Sequence, residues 1–300
     1  MTSERKAAAI LIMATILSAF GWIFSKETIQ GLPPFGFVGL RFLIASLCLL
    51  PFCFRSLRRA SWQDIRSAAL VGCLLATALI SWIHAISISD TLGEGAFILS
   101  LSMLMVPFVA WILFRQQPKR IFWLSLPIAM SGLAFLSLKD GWQSSSSQLW
   151  FLFNAVVLAL HFNINSKYSQ TLPILLLTCI QLFVTGLIGL TASALFESVP
   201  LHVEPSIWGW FTASTILATA LRYVMQTMAQ KQINPGNAAL IMILEPVWTV
   251  FLSIGWYGEV LTLSKLVGCS LILFSLILYR TDGKLLSLLR LRRTKSAAGD

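Results

Sequence analysis

The sequence predicts an all-α integral membrane protein, with ten transmembrane helices in two inverted repeats of five helices. Its composition, its regularly spaced apolar segments and a weak internal repeat support this prediction. Of the 300 residues, 57% are hydrophobic and 11% are charged. A soluble domain is about 45–50% apolar and about 25% charged, so lipid is the expected solvent for this chain. The composition therefore excludes an ordinary cytosolic enzyme, a disordered chain and a small disulfide-linked scaffold.

Ten apolar segments follow one another along the chain, each bounded by charge, proline, glycine or a polar cluster. A transmembrane helix needs about 20 apolar residues, so ten of them leave only short loops. Arg5 and Lys6 precede the first segment, which lacks a small-residue cleavage pattern, and we expect a retained helix rather than a signal peptide. The ten helices are expected at about residues 7–24, 35–54, 68–88, 92–114, 121–138, 148–166, 173–196, 206–229, 237–255 and 264–280.

Basic residues predict the orientation of these helices. Ten spans place both termini on one side of the membrane, and if that side is the cytoplasm it receives 17 of the 22 Lys and Arg residues. The other side receives 3, and Arg41 and Arg222 lie inside spans. The positive-inside rule therefore predicts a multi-pass protein of the cell inner membrane with cytoplasmic N- and C-termini. The basic tail from Lys284 to Lys295 either lies on the anionic inner leaflet or is a frayed end.

Two short patterns recur about 140 residues apart. Gly93–Met103 aligns with Gly236–Pro246 at a shift of 143 residues, and an SK…LP corner comes earlier in each half, at Ser25 and at Ser166. Because five spans per repeat is an odd number, the second copy enters the membrane from the opposite side. Such inverted repeats are typical of transporters, whose halves exchange conformations around a midplane site. The predicted units are a first repeat at 1–140, a second repeat at 148–280 and a basic cytoplasmic tail at 281–300.

Two longer stretches, Phe20–Pro51 and Ile243–Gly268, carry recognisable patterns. The second has Glu-Pro at 245–246, early in the ninth helix, and Gly-Glu at 258–259, at its outer end. The first stretch resembles the opening of the EamA-type proteins of the drug/metabolite transporter superfamily, and the second resembles their second-repeat signature. The resemblance implies ten helices in two inverted repeats, a central cavity, and transport of small metabolites, often export of amino acids or related compounds.

Polar side chains inside the spans are the candidate substrate contacts, because such groups are costly in lipid and are usually functional or paired. Arg222 in helix 8 and Glu245 in helix 9 are expected at one depth, as a functional or a structural ion pair. Ser102 stands where the second repeat has Glu245, and Arg41 is assigned a structural role. Polar stripes on helices 1, 3, 6 and 8 either line a wet cavity or form hydrogen bonds between helices. The candidate substrate-binding residues are Trp22, Trp82, His84, Ser102, Asn154, His161, Arg222, Tyr223, Gln226 and Glu245.

The sequence lacks the signatures of the common enzyme classes, namely a P-loop, GxSxG and HExxH. We therefore predict no catalytic residue, no metal site and no cofactor. The leading interpretation is a secondary active or facilitative transporter, an exporter of small metabolites such as amino acids, which works by alternating access around a central cavity. Its expected partners are a small-molecule substrate, the lipid bilayer and a coupling proton or counter-substrate, with no nucleic acid, and it is expected to be a monomer. The alternatives are an integral membrane lipid-headgroup enzyme, using His161, Asn165 and Glu245, and a non-transporting membrane partner.

Overall fold

The structure of this chain is a computed structural model that describes residues 3–88, 92–118, 120–137, 146–198, 202–258 and 262–280. Within these residues the regular structure is entirely helical. The helices are α1 (Ser3–Thr28), α2 (Pro34–Arg59), α3 (Trp62–Ser87), α4 (Leu92–Phe114), α5 (Arg120–Ser137), α6 (Ser146–Thr171), α7 (Ile174–Phe196), α8 (Pro205–Thr215), a π-helix (Ile216–Leu221), α9 (Arg222–Gln230), α10 (Pro235–Met242), α11 (Leu244–Tyr257) and α12 (Leu263–Arg280). The predicted tail at 281–300 lies outside the described residues.

Two of the predicted helices are divided in the structure. The eighth consists of α8, the π-helix and α9, which follow one another through right-handed helical backbone. The ninth consists of α10 and α11, which are separated by the single residue Ile243. When these segments are joined, the described residues form ten helical rods, and each coincides with one of the predicted helices.

In the part of the chain that the structure describes, six helices are long and apolar enough to cross a membrane, by length and composition. They are Glu4–Thr28, Pro34–Arg59, Trp62–Trp82, Ser146–Thr171, Ile174–Phe196 and Pro235–Tyr257. Three further apolar helices are shorter: Leu101–Phe114, Arg120–Phe135 and Leu266–Tyr279. The chain is therefore a multi-pass membrane protein, and the total of ten crossings stays a prediction.

The packing of the helices follows a two-fold pattern. Helix α2 packs on α7, and α5 packs on α12, so each pair joins corresponding helices of the two halves. Helix α3 corresponds to the rod formed by α8 and α9, and α6 corresponds to α1. Helix α3 packs on α6, and the rod formed by α8 and α9 packs on α1. Helix α4 packs on α6 just as α10 and α11 pack on α1. This exchange of partners is what two structurally equivalent repeats produce, and it agrees with the predicted fold class of an all-α membrane protein built from two repeats.

Equivalent backbone conformations end the fourth rod and the ninth rod. Gly258 follows α11 with a φ of 65°, in the left-handed region where glycine has no steric penalty. Arg115 follows α4 at the corresponding position of the first repeat, and its φ is 58°. The first repeat therefore retains the turn although it has lost the glycine.

Glycines allow the closest helix contacts, which lie between corresponding helices of the two halves. A Cβ atom on Gly39 of α2 would lie 2.5 Å from the backbone nitrogen of Leu190. A Cβ atom on Gly186 of α7 would lie 2.5 Å from the backbone nitrogen of Leu43. In the second pair, a Cβ atom on Gly132 of α5 would lie 2.8 Å from a carbonyl oxygen of α12. Small residues at such crossings let helix backbones approach and gain van der Waals contact in lipid.

Candidate functional site

A break in the ninth rod places Glu245 at the start of a helix. Pro246 has no N–H and cannot donate to the carbonyl group of Met242, and α10 ends at Met242. Glu245 therefore lies in the first turn of α11. The N-terminal end of a helix carries a partial positive charge, which favours a carboxylate at this position.

One tryptophan contacts the Glu245 side chain, and a second tryptophan contacts the first. We call Trp22, Trp82 and Glu245 the indole–carboxylate group. The Nε1 atom of Trp22 in α1 donates a hydrogen bond of 3.0 Å to Oε1 of Glu245. The rings of Trp22 and Trp82 meet edge to face, with their centroids 5.6 Å apart. Helices α1, α3 and α11 thus bring together three of the predicted site residues.

The predicted ion pair between Arg222 and Glu245 is wrong. Both residues are described, and no ion pair joins them. The prediction assumed that consecutive helices are neighbours, whereas α1 packs against both α9 and α11, which have little contact with each other. The Arg222 guanidinium instead lies over the ring of Tyr223, 4.5 Å from its centroid.

A second group of polar side chains lies where α6, α7 and α9 meet, and we call it the amide–guanidinium group. The Nε2 atom of His161 lies 3.2 Å from Oε1 of Gln181, and both residues are buried. Arg222 begins α9, which packs on both α6 and α7. Gln226 follows Arg222 by one turn of α9, and Asn154 precedes His161 by two turns of α6, so each shares a helix face with its neighbour.

Four buried polar atoms of this group have no hydrogen-bond partner among the residues that the structure describes. They are Asn154 Oδ1, Gln181 Nε2, Arg222 Nε and Gln226 Oε1. The side chains of Asn154 and Gln226 are only 2% and 3% exposed. A buried polar atom without a partner costs about 1–3 kcal/mol, so such atoms are expected to meet water or a ligand. The other unpartnered atoms of the described residues belong to Ser125, Asn163, Asn165, Thr178 and Ser214.

Other members of the polar stripes join helices to one another. The Nδ2 atom of Asn165 donates to Gln230 Oε1 and, over 3.3 Å, to Thr227 Oγ1. Gln230 Nε2 donates to the carbonyl oxygen of Phe162 over 3.4 Å. These bonds connect α6 to α9, so hydrogen bonding between helices accounts for Gln230 and for Nδ2 of Asn165.

The remaining predicted site residues lie apart along the helices. His84 is exposed on α3, and its ring meets that of Trp150 edge to face at 4.9 Å. Ser102 is buried within α4. Tyr223 is buried, and its ring meets the ring of Phe42 at 5.7 Å. The Tyr223 ring, which the Arg222 guanidinium overlies, is therefore packed against Phe42.

Sequence reasoning missed one residue of the amide–guanidinium group. Gln181 was not among the predicted site residues, although its Oε1 is placed to accept a hydrogen bond from His161 Nε2 and its Nε2 has no partner among the described residues. It is the only amide side chain in α7. An isolated amide in so apolar a helix was the signal that could have found it, because amides in lipid need partners.

The structure supports the structural role assigned to Arg41 and shows its partners. Arg41 donates to Thr219 Oγ1 through Nε, to Ser25 Oγ over 3.0 Å, and to the carbonyl oxygen of Ala218 over 3.2 Å. Thr219 and Ala218 belong to the π-helix, where Thr219 Oγ1 also donates to the carbonyl oxygen of Ser214 over 2.9 Å. Arg41 therefore joins α1 and α2 to the π-helix that directly precedes Arg222. Short π-helices of this kind are frequent at functional sites.

The model of the EamA-like transporter family matches this chain twice, over residues 5–138 and residues 145–281. The chain belongs to the EamA-like transporter family. An uncharacterized transporter of Archaeoglobus fulgidus is 24% identical over 84% of this chain and 79% of its own length. The uncharacterized inner membrane transporter YedA of Escherichia coli is 24% identical over 86% of this chain and 85% of its own.

Two further comparisons agree with the family. The uncharacterized transporter YoaV of Bacillus subtilis is 21% identical to this EamA-like protein over 87% of this chain and 92% of its own. A protein known from a crystal structure superposes with a TM-score of 0.81, covering 94% of this chain and 99% of that one, at 16% identity. At this identity the likeness shows the fold.

The two groups differ in which half of this EamA-like protein supplies them. All residues of the amide–guanidinium group lie within the second family match, 145–281. The indole–carboxylate group takes Trp22 and Trp82 from the first match and Glu245 from the second. The first group therefore belongs to one half, whereas the second connects the two halves.

Proposed function

We propose that this EamA-like protein is a secondary active or facilitative transporter that exports small polar or amphipathic metabolites, such as amino acids, by alternating access. The observation that carries the proposal is the amide–guanidinium group, with four buried polar atoms that lack a protein partner. A substrate with polar groups would satisfy these atoms inside helices that are otherwise apolar. The proposed binding site is a central cavity at this group, and it includes the indole–carboxylate group.

Alternating access is supported by the two-fold packing of the helices. Two equivalent repeats can exchange conformations around a site between them. The indole–carboxylate group connects the two halves, since Trp22 and Glu245 come from different repeats. A movement of one repeat relative to the other would therefore alter the hydrogen bond between Trp22 and Glu245. For this reason the Glu245 carboxylate is the candidate site for a coupling proton or for the amino group of a substrate.

The proposed setting is the cell inner membrane, with both termini in the cytoplasm and the chain acting as a monomer. The excess of basic residues on one side supports the orientation. The relative YedA is named an inner membrane transporter, and that name supports the membrane. The proposed repeat boundaries are 1–140 and 148–280, followed by the basic tail.

Counterflow in proteoliposomes tests the proposal. Purified protein is reconstituted into vesicles loaded with one unlabelled metabolite at a time, and the entry of the same metabolite in labelled form is followed. We expect at least one amino acid or related compound to exchange faster than in protein-free vesicles. Gly255→Ala serves as a matched variant, because a Cβ atom at Gly255 meets nothing within 4 Å. Absence of exchange for the whole panel, with folded and incorporated protein, would overturn the proposed function.

A further inference from the structure

We infer that the transported compound carries a carboxylate and that the guanidinium group of Arg222 binds it. This inference rests on the proposed function and deepens it, because it names the chemical class of the substrate. It is carried by the contrast between two arginines within the apolar helices. Arg41 uses its donors on three oxygen atoms of neighbouring helices, whereas no hydrogen bond or ion pair of Arg222 is found among the described residues.

The three acidic side chains closest in sequence to Arg222 have other partners. Glu204 accepts from Ser206 Oγ over 3.4 Å, Glu245 accepts from Trp22, and Glu197 accepts from the backbone nitrogens of Phe35 and Gly36 over 2.7 and 2.8 Å. None of them forms an ion pair with Arg222 among the described residues. An ionised guanidinium in a low-dielectric region without an anion is unfavourable, so its counter-charge is expected to arrive with a ligand.

The geometry around Arg222 suits a planar anion. The guanidinium carbon Cζ of Arg222 lies over the ring of Tyr223, 4.5 Å from its centroid, and that ring contacts Phe42 edge to face. A cation–π contact of this kind restricts the guanidinium without using its N–H groups on an acceptor. The edge of an arginine presents two parallel N–H groups, which match the two oxygen atoms of a carboxylate.

One neutral donor that lacks a partner among the described residues is Nε2 of Gln181, on α7, which packs on α9. The unpartnered atom of buried Gln226, one turn along α9 from Arg222, is Oε1, an acceptor that suits an amino or hydroxyl group of the same compound. A phosphate dianion is a poorer match, because its remaining oxygen atoms would find few donors: the second guanidinium nearby, that of Arg41, uses its donors on Thr219, Ser25 and Ala218.

Matched pairs of small molecules test the inference on the purified full-length protein. The probes are phenylacetate with phenylacetamide, leucine with leucinamide, phenylalanine with phenylalaninamide, and phenyl phosphate. Thermal unfolding is followed for each probe, together with counterflow for those that bind. We expect carboxylates to raise Tm and to exchange, and their amides and phenyl phosphate to do neither.

Three substitutions at one position assign the effect to Arg222. Arg222→Lys keeps the charge but loses the planar pair of donors, so affinity for the carboxylates should fall by roughly 10-fold or more. Arg222→Gln and Arg222→Met should lose the carboxylate-dependent rise in Tm. Because Arg222 makes no hydrogen bond that folding would lose, the unliganded Tm of these variants should stay at or above that of the wild type. Because three substitutions are compared, the carboxylate effect can still be assigned to Arg222 if one variant fails to fold.

Three outcomes would overturn the inference. The first is that the amides raise Tm as much as the carboxylates do. The second is that carboxylates still raise the Tm of Arg222→Met. The third is that no carboxylate raises the Tm of the wild type. If amides or amines exchange in counterflow, the carboxylate inference fails and the proposed function stands. If no compound of the broader metabolite panel exchanges, the proposed function itself fails.

Discussion

The indole Nε1 of Trp22 donates a 3.0 Å hydrogen bond to the Glu245 carboxylate, across an interval of 223 residues. The bond joins the first helix of one repeat to the broken ninth rod of the other. It also gives the carboxylate a neutral partner, and no ion pair joins Glu245 to Arg222 among the described residues. If transport proceeds as proposed, we expect these two charged side chains to act separately.

Independence of the two charges predicts additive mutations. Arg222→Met and Glu245→Gln should change the free energy of unfolding independently, so that the double variant equals the sum of the single effects within about 0.5 kcal/mol. Unfolding of the three variants in one detergent, followed by circular dichroism, measures this sum. A double variant more stable than the sum by 1 kcal/mol or more, at the scale of coupled neighbours, would show that the residues interact after all.

The close crossing of α2 and α7 predicts that glycine is required there. Gly186→Ala should lower the free energy of unfolding by about 1–3 kcal/mol, because its Cβ atom would meet the backbone of Leu43 at 2.5 Å. Gly255→Ala in α11 is the matched control, since nothing lies within 4 Å of its added Cβ atom. Equal effects of the two substitutions in thermal unfolding would contradict the packing.

The shared turn after α4 and α11 predicts opposite effects of two substitutions. Arg115→Gly should stabilise the protein by up to about 1 kcal/mol, since it removes the cost of a left-handed backbone at a residue with a Cβ atom. Gly258→Ala should destabilise it by about 1 kcal/mol for the same reason. Both are read from the free energy of unfolding. A loss of stability in Arg115→Gly, as expected for glycine at an ordinary position, would refute the equivalence of the turns.

The distribution of basic residues predicts the side on which each terminus lies. A reporter that is active only in the cytoplasm should be active when fused after Asp300, and inactive when placed in the segment from Glu197 to Glu204. A reporter that is active only outside the cytoplasm should give the reverse pattern. Cytoplasmic signals from both positions would exclude the ten-span arrangement.

Sequence alone predicted the helices well because lipid imposes a simple requirement on each of them. A helix that spans a bilayer must be apolar over about 20 residues, and this pattern is local. The divisions of the eighth and ninth rods were not predicted. Pro246 explains the second division, because the missing N–H releases a carbonyl group one turn earlier. No comparable residue in the sequence predicts the π-helix. Its residues Ala218 and Thr219 accept hydrogen bonds from Arg41 of α2, which is distant in sequence.

The site was predicted in part, because periodicity identifies a helix face and not what that face meets. Gln226 and Gln230 occupy one stripe of α9 and are alike in sequence, yet Gln230 bonds to α6 and Gln226 has no hydrogen-bond partner among the described residues. In α6, Nδ2 of Asn165 donates to α9, whereas the Oδ1 atoms of both Asn165 and Asn154 lack a partner in the same part of the chain. The predicted Arg222 pair failed for a related reason, since adjacency along the chain does not make two helices neighbours in the membrane.

Counterflow by Gln226→Leu tests most directly the claim that unpartnered polar groups form the substrate site. Removing this amide costs no hydrogen bond of the described structure, so Tm should stay the same or rise, while exchange of the transported compound should fall by roughly 10-fold or more. The control Gln230→Leu should instead lower Tm, because it removes the hydrogen bonds of the Gln230 side chain to Asn165 Nδ2 and to the carbonyl oxygen of Phe162. Wild-type exchange by folded Gln226→Leu protein would contradict the account.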